Sequence, residues 1–352
     1  MFTDESKLFK NFLFPDINLP KGKEIKQLYE FLRNVKLLPV QTLTHSSSSH
    51  GSIHLESSYA TDIIIKASQK LKKKEQLQLL IGQNKISVNI CSNEDNKKLI
   101  VSVISLLQLL CSIYPNQKEI VLNYFLVDEK KILESTDFPC SIGKSEVNSG
   151  SCQRTIDKSI VNIWRKEELI KVSFHELFHA LCFDNISDTN EIIELYKSRY
   201  NIVSNIININ EAYTELWANI LNCFWISQKV ERKQYQCFQT LLAIEKEFAL
   251  FQCEKIFYIT GLTELEIDIN KYTNILSYYV IRCEIYNDLK EFLRLCRIHN
   301  KNYIHITNDE LFLSFITKTK AIKKNNKRIS KLKEESYLFK TTRMTSIEYK
   351  IS

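Results

Sequence analysis

The chain has 352 residues, 44% hydrophobic and 25% charged, enough to bury a substantial core as one large domain or as two lobes. It has no apolar run of ~18 residues, so a transmembrane helix is excluded. Its formal charge of +7 is concentrated: residues 318–333 carry eight Lys or Arg and no acid, and the remainder sums to about −1.

A distributed basic face for nucleic acid is therefore unsupported, and only residues 318–333 could touch RNA, DNA or an acidic protein. The start, Met1-Phe2-Thr3-Asp4-Glu5-Ser6-Lys7, has acids where a signal peptide carries positive charge, and no apolar stretch follows. The ten cysteines lack paired spacing and read as free thiols in a reducing compartment. These features predict an intracellular protein that is not secreted. The Asn/Lys/Ile bias and the scarcity of glycine suggest an AT-rich genome.

In chain order, residues 1–22 read as an extended arm holding Phe9, Phe12 and Phe14, with Pro15 and Pro20 blocking a helix. Residues 23–35 have helical periodicity through Ile25, Leu28, Phe31 and Leu32. His45, His50 and His54 lie in a serine-rich stretch that reads as a loop rather than a metal site. A strand over 86–91, an apolar helix over 97–114 and a strand over 119–127 follow. Pro139, Gly143 and Gly150 punctuate a long loop, and 160–164 form a short strand leading to a helix from about Lys166. The order predicts an α+β fold: a small mixed sheet with helices, then a mainly helical C-terminal lobe. The expected divisions are 1–84 as arm and helical or loop region, 85–183 as the sheet-containing lobe, 184–317 as the helical lobe, and 318–352 as a basic segment and tail.

The most informative stretch is Val172-Ser173-Phe174-His175-Glu176-Leu177-Phe178-His179-Ala180-Leu181. On a helix, His175 and His179 are four apart and project from one face. That spacing lets two imidazoles reach one zinc ion at ~2.0–2.1 Å. Glu176, on the same turn, suits a base that accepts a proton from water rather than a ligand. Burying a carboxylate among these apolar residues without a charged partner would be costly, and a metal supplies that partner.

A catalytic zinc keeps three protein ligands and one open position. The metzincin continuation would put Gly at 182 and His at 185, where this chain has Cys182 and Asn185. A later helix, about 208–225, offers an alternative in Asn210-Glu211-Ala212-Tyr213-Thr214-Glu215. Its polar residues Asn208, Glu211, Glu215, Asn219 and Asn222 form one stripe on an otherwise apolar helix, which predicts a cation or hydrogen-bond donors facing the stripe. The zinc site would supply them.

His175-Glu176-Leu177-Phe178-His179 followed by Asn210-Glu211-Ala212-Tyr213-Thr214-Glu215 resembles the gluzincin metallopeptidases, the thermolysin and neprilysin type. The resemblance implies one zinc ion held by His175, His179 and Glu211, with Glu176 as general base. It also implies that Glu215 orients a ligand histidine. Glu215 stands where the family has Asp, and the separation between His179 and Glu211 implies an inserted helix or loop. The run Val147-Asn148-Ser149-Gly150, then Ile163-Trp164-Arg165-Lys166-Glu167-Glu168, then Asn210-Glu211-Ala212-Tyr213 is similar to uncharacterised proteins of giant DNA viruses. That likeness spans about residues 85–285, and it implies host cytoplasm or virion as the location.

The expected activity is hydrolysis of peptide bonds in a peptide or protein substrate. In gluzincins a substrate strand pairs with a sheet edge beside the zinc helix, and 148–151 and 160–164 are both candidates. For the second oxyanion donor the sequence offers Tyr278 and Tyr279, with His299 and His305 as rivals. The alternative is a catalytically silent protein of the same fold, structural or virion-associated. Oligomeric state has no signal in the sequence.

Overall fold

The computed structural model describes residues 2–13, 19–20, 22–48, 53–115 and 117–350. The first elements are α1 (Asp4–Leu13), α2 (Lys23–Arg33), β1 (Val40–Ser48), α3 (Asp62–Ser68), β2 (Lys73–Ile81) and β3 (Asn84–Ser92). Then come α4 (Lys97–Ile113), β4 (Glu119–Val127), α5 (Lys144–Val147), β5 (Gly150–Arg154), β6 (Lys158–Arg165) and α6 (Leu169–Ala180). The rest is helical: α7 (Asn190–Tyr200), α8 (Ile209–Ser227), α9 (Gln234–Thr260), α10 (Arg282–Asn287), α11 (Leu289–His299), α12 (Asp309–Lys318) and α13 (Tyr337–Lys340). A π-helical turn, Leu276–Ile281, runs directly into α10. The fold is α+β with a mixed sheet and a helical C-terminal part, as the sequence predicts.

The chain divides into two compact units. The sheet unit takes residues 31–130, 148–182 and the last few residues; the helical unit takes 1–30, 131–147 and 183–348.

In the sheet unit six strands run in the order β1-β2-β3-β4-β6-β5. β1, β2 and β3 are antiparallel neighbours, β3, β4 and β6 are parallel, and β5 closes the far end antiparallel to β6. Gly82 makes the two-residue turn between β2 and β3 at φ +61°, where a side chain would be strained. The parallel β3–β4 pair needs a crossover, and α4 supplies it, burying Leu99, Val103, Leu106, Leu107 and Leu110 at helical spacing. α3 helps cover another part of the sheet, where Leu55, Ile64, Cys91, Phe125, Val127 and Trp164 form a core cluster.

In the helical unit α8 and α9 are the central pair. Every residue of α8 from Ala212 to Ser227 is buried, as suits a helix apolar on most of its surface. α7 occupies part of the interval between His179 and Glu211, so the separation noted in the sequence is filled by a helix.

Three expectations change. Residues 1–22 are not simply an extended arm: Asp4–Leu13 is helical, with Asp4 and Glu5 favourably placed in its first turn and Phe9 buried. Pro15 lies outside the described residues. The sheet starts well before residue 85, because β1 and β2 belong to it. The end of the expected basic segment and tail is not a tail, since residues 341–346 are all at most 4% exposed.

Candidate metal centre

α6 sits almost wholly inside the sheet unit, with His179 half-buried and Leu169 to Phe178 buried. Its chain enters through Glu168 in the left-handed conformation, φ 60°. Ser173 Oγ donates to Leu169 O at 2.7 Å and lies 2.9 Å from the hydroxyl of Tyr124 on β4, fixing the helix to the sheet. At the other end Ser159 Oγ donates to Ala180 O at 3.0 Å. The helix is thus anchored at both ends around its histidines.

His175 Nε2 and His179 Nε2 lie 3.2 Å apart, with ring planes at 77°. Two nitrogens on a tetrahedral zinc at ~2.05 Å would be ~3.3–3.4 Å apart. The two rings therefore already hold a ligand-like separation. Glu176, 6% exposed, lies beside β5. A Cβ built on Gly150 would stand 2.5 Å from Glu176 Oε1 and 2.7 Å from its Cγ, so only glycine fits where β5 passes this carboxylate. Of the two sheet edges considered, β5 ends the sheet, whereas β6 is interior, paired with β4 and β5.

In the helical unit Glu211 stands in the first turn of α8. Asp188 holds that end: its carboxylate accepts from the N–H groups of Ile207, Asn208 and Ile209 at 2.8, 2.8 and 2.9 Å. Asp184, 1% exposed, accepts from Asn210 Nδ2 and Thr214 Oγ1. His175, His179 and Glu211 each offer one ligand atom, and these atoms all lie within 4.8 Å of one another. Two imidazole nitrogens and one carboxylate oxygen form a donor set that suits a catalytic zinc, and the short histidine separation fits it.

The rest of the α8 stripe also meets partners that the sequence did not suggest. Glu215, fully buried, receives Arg282 Nη1 at 2.9 Å, and Asn219 Oδ1 receives the same nitrogen at 3.0 Å. Asn219 and Asn222 donate to the carbonyls of Met344 and Ile347. The stripe therefore faces a buried arginine and the C-terminal chain. Burial lowers and the Glu215 charge raises the Arg282 pKa, with a net rise.

Tyr279 is corrected. It is 1% exposed and donates its hydroxyl to Thr342 O at 2.5 Å, which makes it a core residue rather than an oxyanion donor. Tyr278 is half-buried, and a polar chain leads to it from the start of α8: Asn208 Nδ2 to Asn274 Oδ1 at 2.7 Å, then Asn274 Nδ2 to the Tyr278 hydroxyl at 3.4 Å. His299 is exposed at the end of α11. His305 packs against Phe183, and burial followed by Lys301 depresses its pKa. In the serine-rich stretch His45 lies on β1, 3.3 Å from Glu75 Oε2, His54 is exposed, and His50 lies outside the described residues.

Sequence reasoning read Gly150 as loop punctuation and missed its close approach to Glu176, and it missed Asp188 and the pairing of Arg282. Arg282 falls one turn after Tyr278, but nothing in the sequence tied it to residue 215.

No family model matches the chain, and no solved structure matches it. The chain is similar to an uncharacterised protein of Acanthamoeba polyphaga mimivirus, 25% identical over 285 residues that cover 70% of this chain and 72% of that one. No helix among the described residues is long and apolar enough to cross a membrane.

Proposed function

We propose that this protein is a zinc-dependent peptidase of the gluzincin type, with His175, His179 and Glu211 as metal ligands and Glu176 as general base. The observation that carries the reading is the convergence of one ligand atom each from His175, His179 and Glu211 within 4.8 Å. When bound, zinc supplies Lewis-acid polarisation of the scissile carbonyl and makes an attacking water acidic, with a pKa near ~7.

The chain's own residues do the rest. Glu176 takes the proton from the attacking water and passes it to the leaving amine nitrogen. Its closeness to Gly150 supports this role, because an extended peptide added alongside β5 would bring its carbonyls near the same carboxylate. Tyr278 is the remaining candidate for the second donor to the oxyanion. Glu215, held by Arg282, is assigned to orienting the metal ligands. The viral relative supports work in the host cytoplasm or in the virion.

The test is metal content by mass spectrometry together with a peptide library, comparing wild type with Glu176→Gln. The expected result is one zinc per chain in both proteins and a loss of cleavage in the variant of about 10²-fold or more. Zinc in both with equal inertness would favour a metal-bearing structural protein instead. Absence of zinc would remove the proposal.

A further inference from the structure

The last stretch of the helical unit is held the way a bound peptide is held. Residues 341–346 are buried but form no helix; Thr341 bridges Ile132, and the N–H groups of Thr341 and Thr342 donate to Tyr337 O and Lys131 O. Side chains of the surrounding helices instead take the main-chain groups one after another. Thr341 O accepts from Lys255 Nζ at 2.6 Å and Gln252 Nε2 at 3.3 Å; Thr342 O accepts from the Tyr279 hydroxyl. Arg343 O accepts from Gln252 Nε2 at 2.6 Å, and Ile347 O from Asn222 Nδ2 at 3.1 Å. Glu245 Oε1 accepts from the N–H groups of Ser346 and Ile347, both at 2.9 Å.

This arrangement reads backbone more than sequence, since amides and carbonyls are common to every residue. It also commits α9: the buried Lys255 ammonium donates only to the carbonyls of Leu338 and Thr341 among the described residues. Without the segment, Gln252 and Asn222 would lose these buried acceptors, and Lys255 would keep only Leu338 O among them.

One contact links the segment to the candidate metal centre. Met344 O accepts from Arg282 Nη1 at 2.8 Å, and that nitrogen also holds Glu215 and Asn219. Glu215 lies one helical turn beyond Glu211 on α8. We propose that the seated segment 341–347 is an intramolecular peptide ligand that sets the Arg282–Glu215 pair and, through α8, tunes the metal affinity of Glu211. This rests on the zinc reading above. Arg282 is then a positioning residue that shares one nitrogen between the segment and α8.

Linkage is reciprocal: if the seated segment tightens zinc, zinc must stabilise the seat by the same factor. In the full wild-type chain, adding zinc should slow amide hydrogen exchange at residues 341–347 by about tenfold, within the ~5–150-fold range typical of coupled sites. Full-length Asn222→Ala, which loosens the seat away from the metal, should speed that exchange and raise the zinc Kd by a similar factor, measured against a chromophoric chelator. Arg282→Lys keeps the charge but not the planar fork, and should do both as well. Exchange at 341–347 that ignores zinc overturns the proposal, as does a loosened segment with an unchanged zinc Kd. A wild type that binds no zinc fails earlier, and removes the zinc reading together with it.

Discussion

Glu245 carries a conflict that can be measured. Burial pushes its carboxyl up to about 7, against hydrogen bonds from Thr345, Ser346 and Ile347 and the charge of Arg282, which pull it down. Tyr286 and Cys223 are its other titratable neighbours. A carboxyl raised in the folded state favours folding fully below its unfolded pKa, near 4.5, and that contribution is lost as pH rises through about 7. The shift corresponds to roughly 3 kcal/mol between those limits. Wild-type Tm should therefore fall between pH 5 and 8 more steeply than that of Glu245→Gln, as followed by circular dichroism. Gly150 gives a second prediction at this scale. Gly150→Ala would push a methyl into Glu176, so it should lower stability by about 1–3 kcal/mol and also cut any peptidase rate. A Gly150→Ala protein with wild-type Tm would contradict that packing. His175, Glu176 and His179 were legible because helical spacing alone puts them together. The Tyr278/Tyr279 choice was not legible, because adjacent helix positions differ in burial only once the packing partner is known.

Among the elements, α8 was legible in both its extent and its stripe, but what faces the stripe was not. The sequence offered one cation, the metal, whereas the lower half of the stripe meets Arg282 and the carbonyls of Met344 and Ile347. Those partners lie more than 60 residues away in the chain, and no local pattern encodes such a distance. β4 was read to its ends, because an Ile/Val/Leu/Tyr/Phe run broken only by Asn123 is what a strand between parallel neighbours requires. β1 was missed for the opposite reason: almost all of it is exposed, and serines and threonines leave no apolar alternation to read. The start of α8 supplies a prediction. Asp188 accepts three N–H groups there, so Asp188→Ala should cost about 1–2 kcal/mol by chemical denaturation, with weaker zinc binding if Glu211 is a ligand. Loss of stability below 0.5 kcal/mol would show that the cap is dispensable.

For the whole molecule, the net charge of +7 hides local neutralisation. Within the basic segment, Arg328 bonds Glu254 and meets Glu247, and Lys324 pairs with Glu264, so part of the run is spent on α9 and its following loop. The expected outcome is no salt-sensitive binding to RNA or DNA at ~0.15 M salt in a gel-shift assay; tight, salt-sensitive binding would reverse this. The two units also interleave along the chain, and this sets a schedule for synthesis. Apart from its last residues the sheet unit has all its parts once residue 182 has emerged, whereas the helical unit must wait for residue 348. At ~5–20 residues per second that wait is roughly 8–33 s. For that time the nascent chain can present the His175–His179 pair while the groove for residues 341–347 has no occupant.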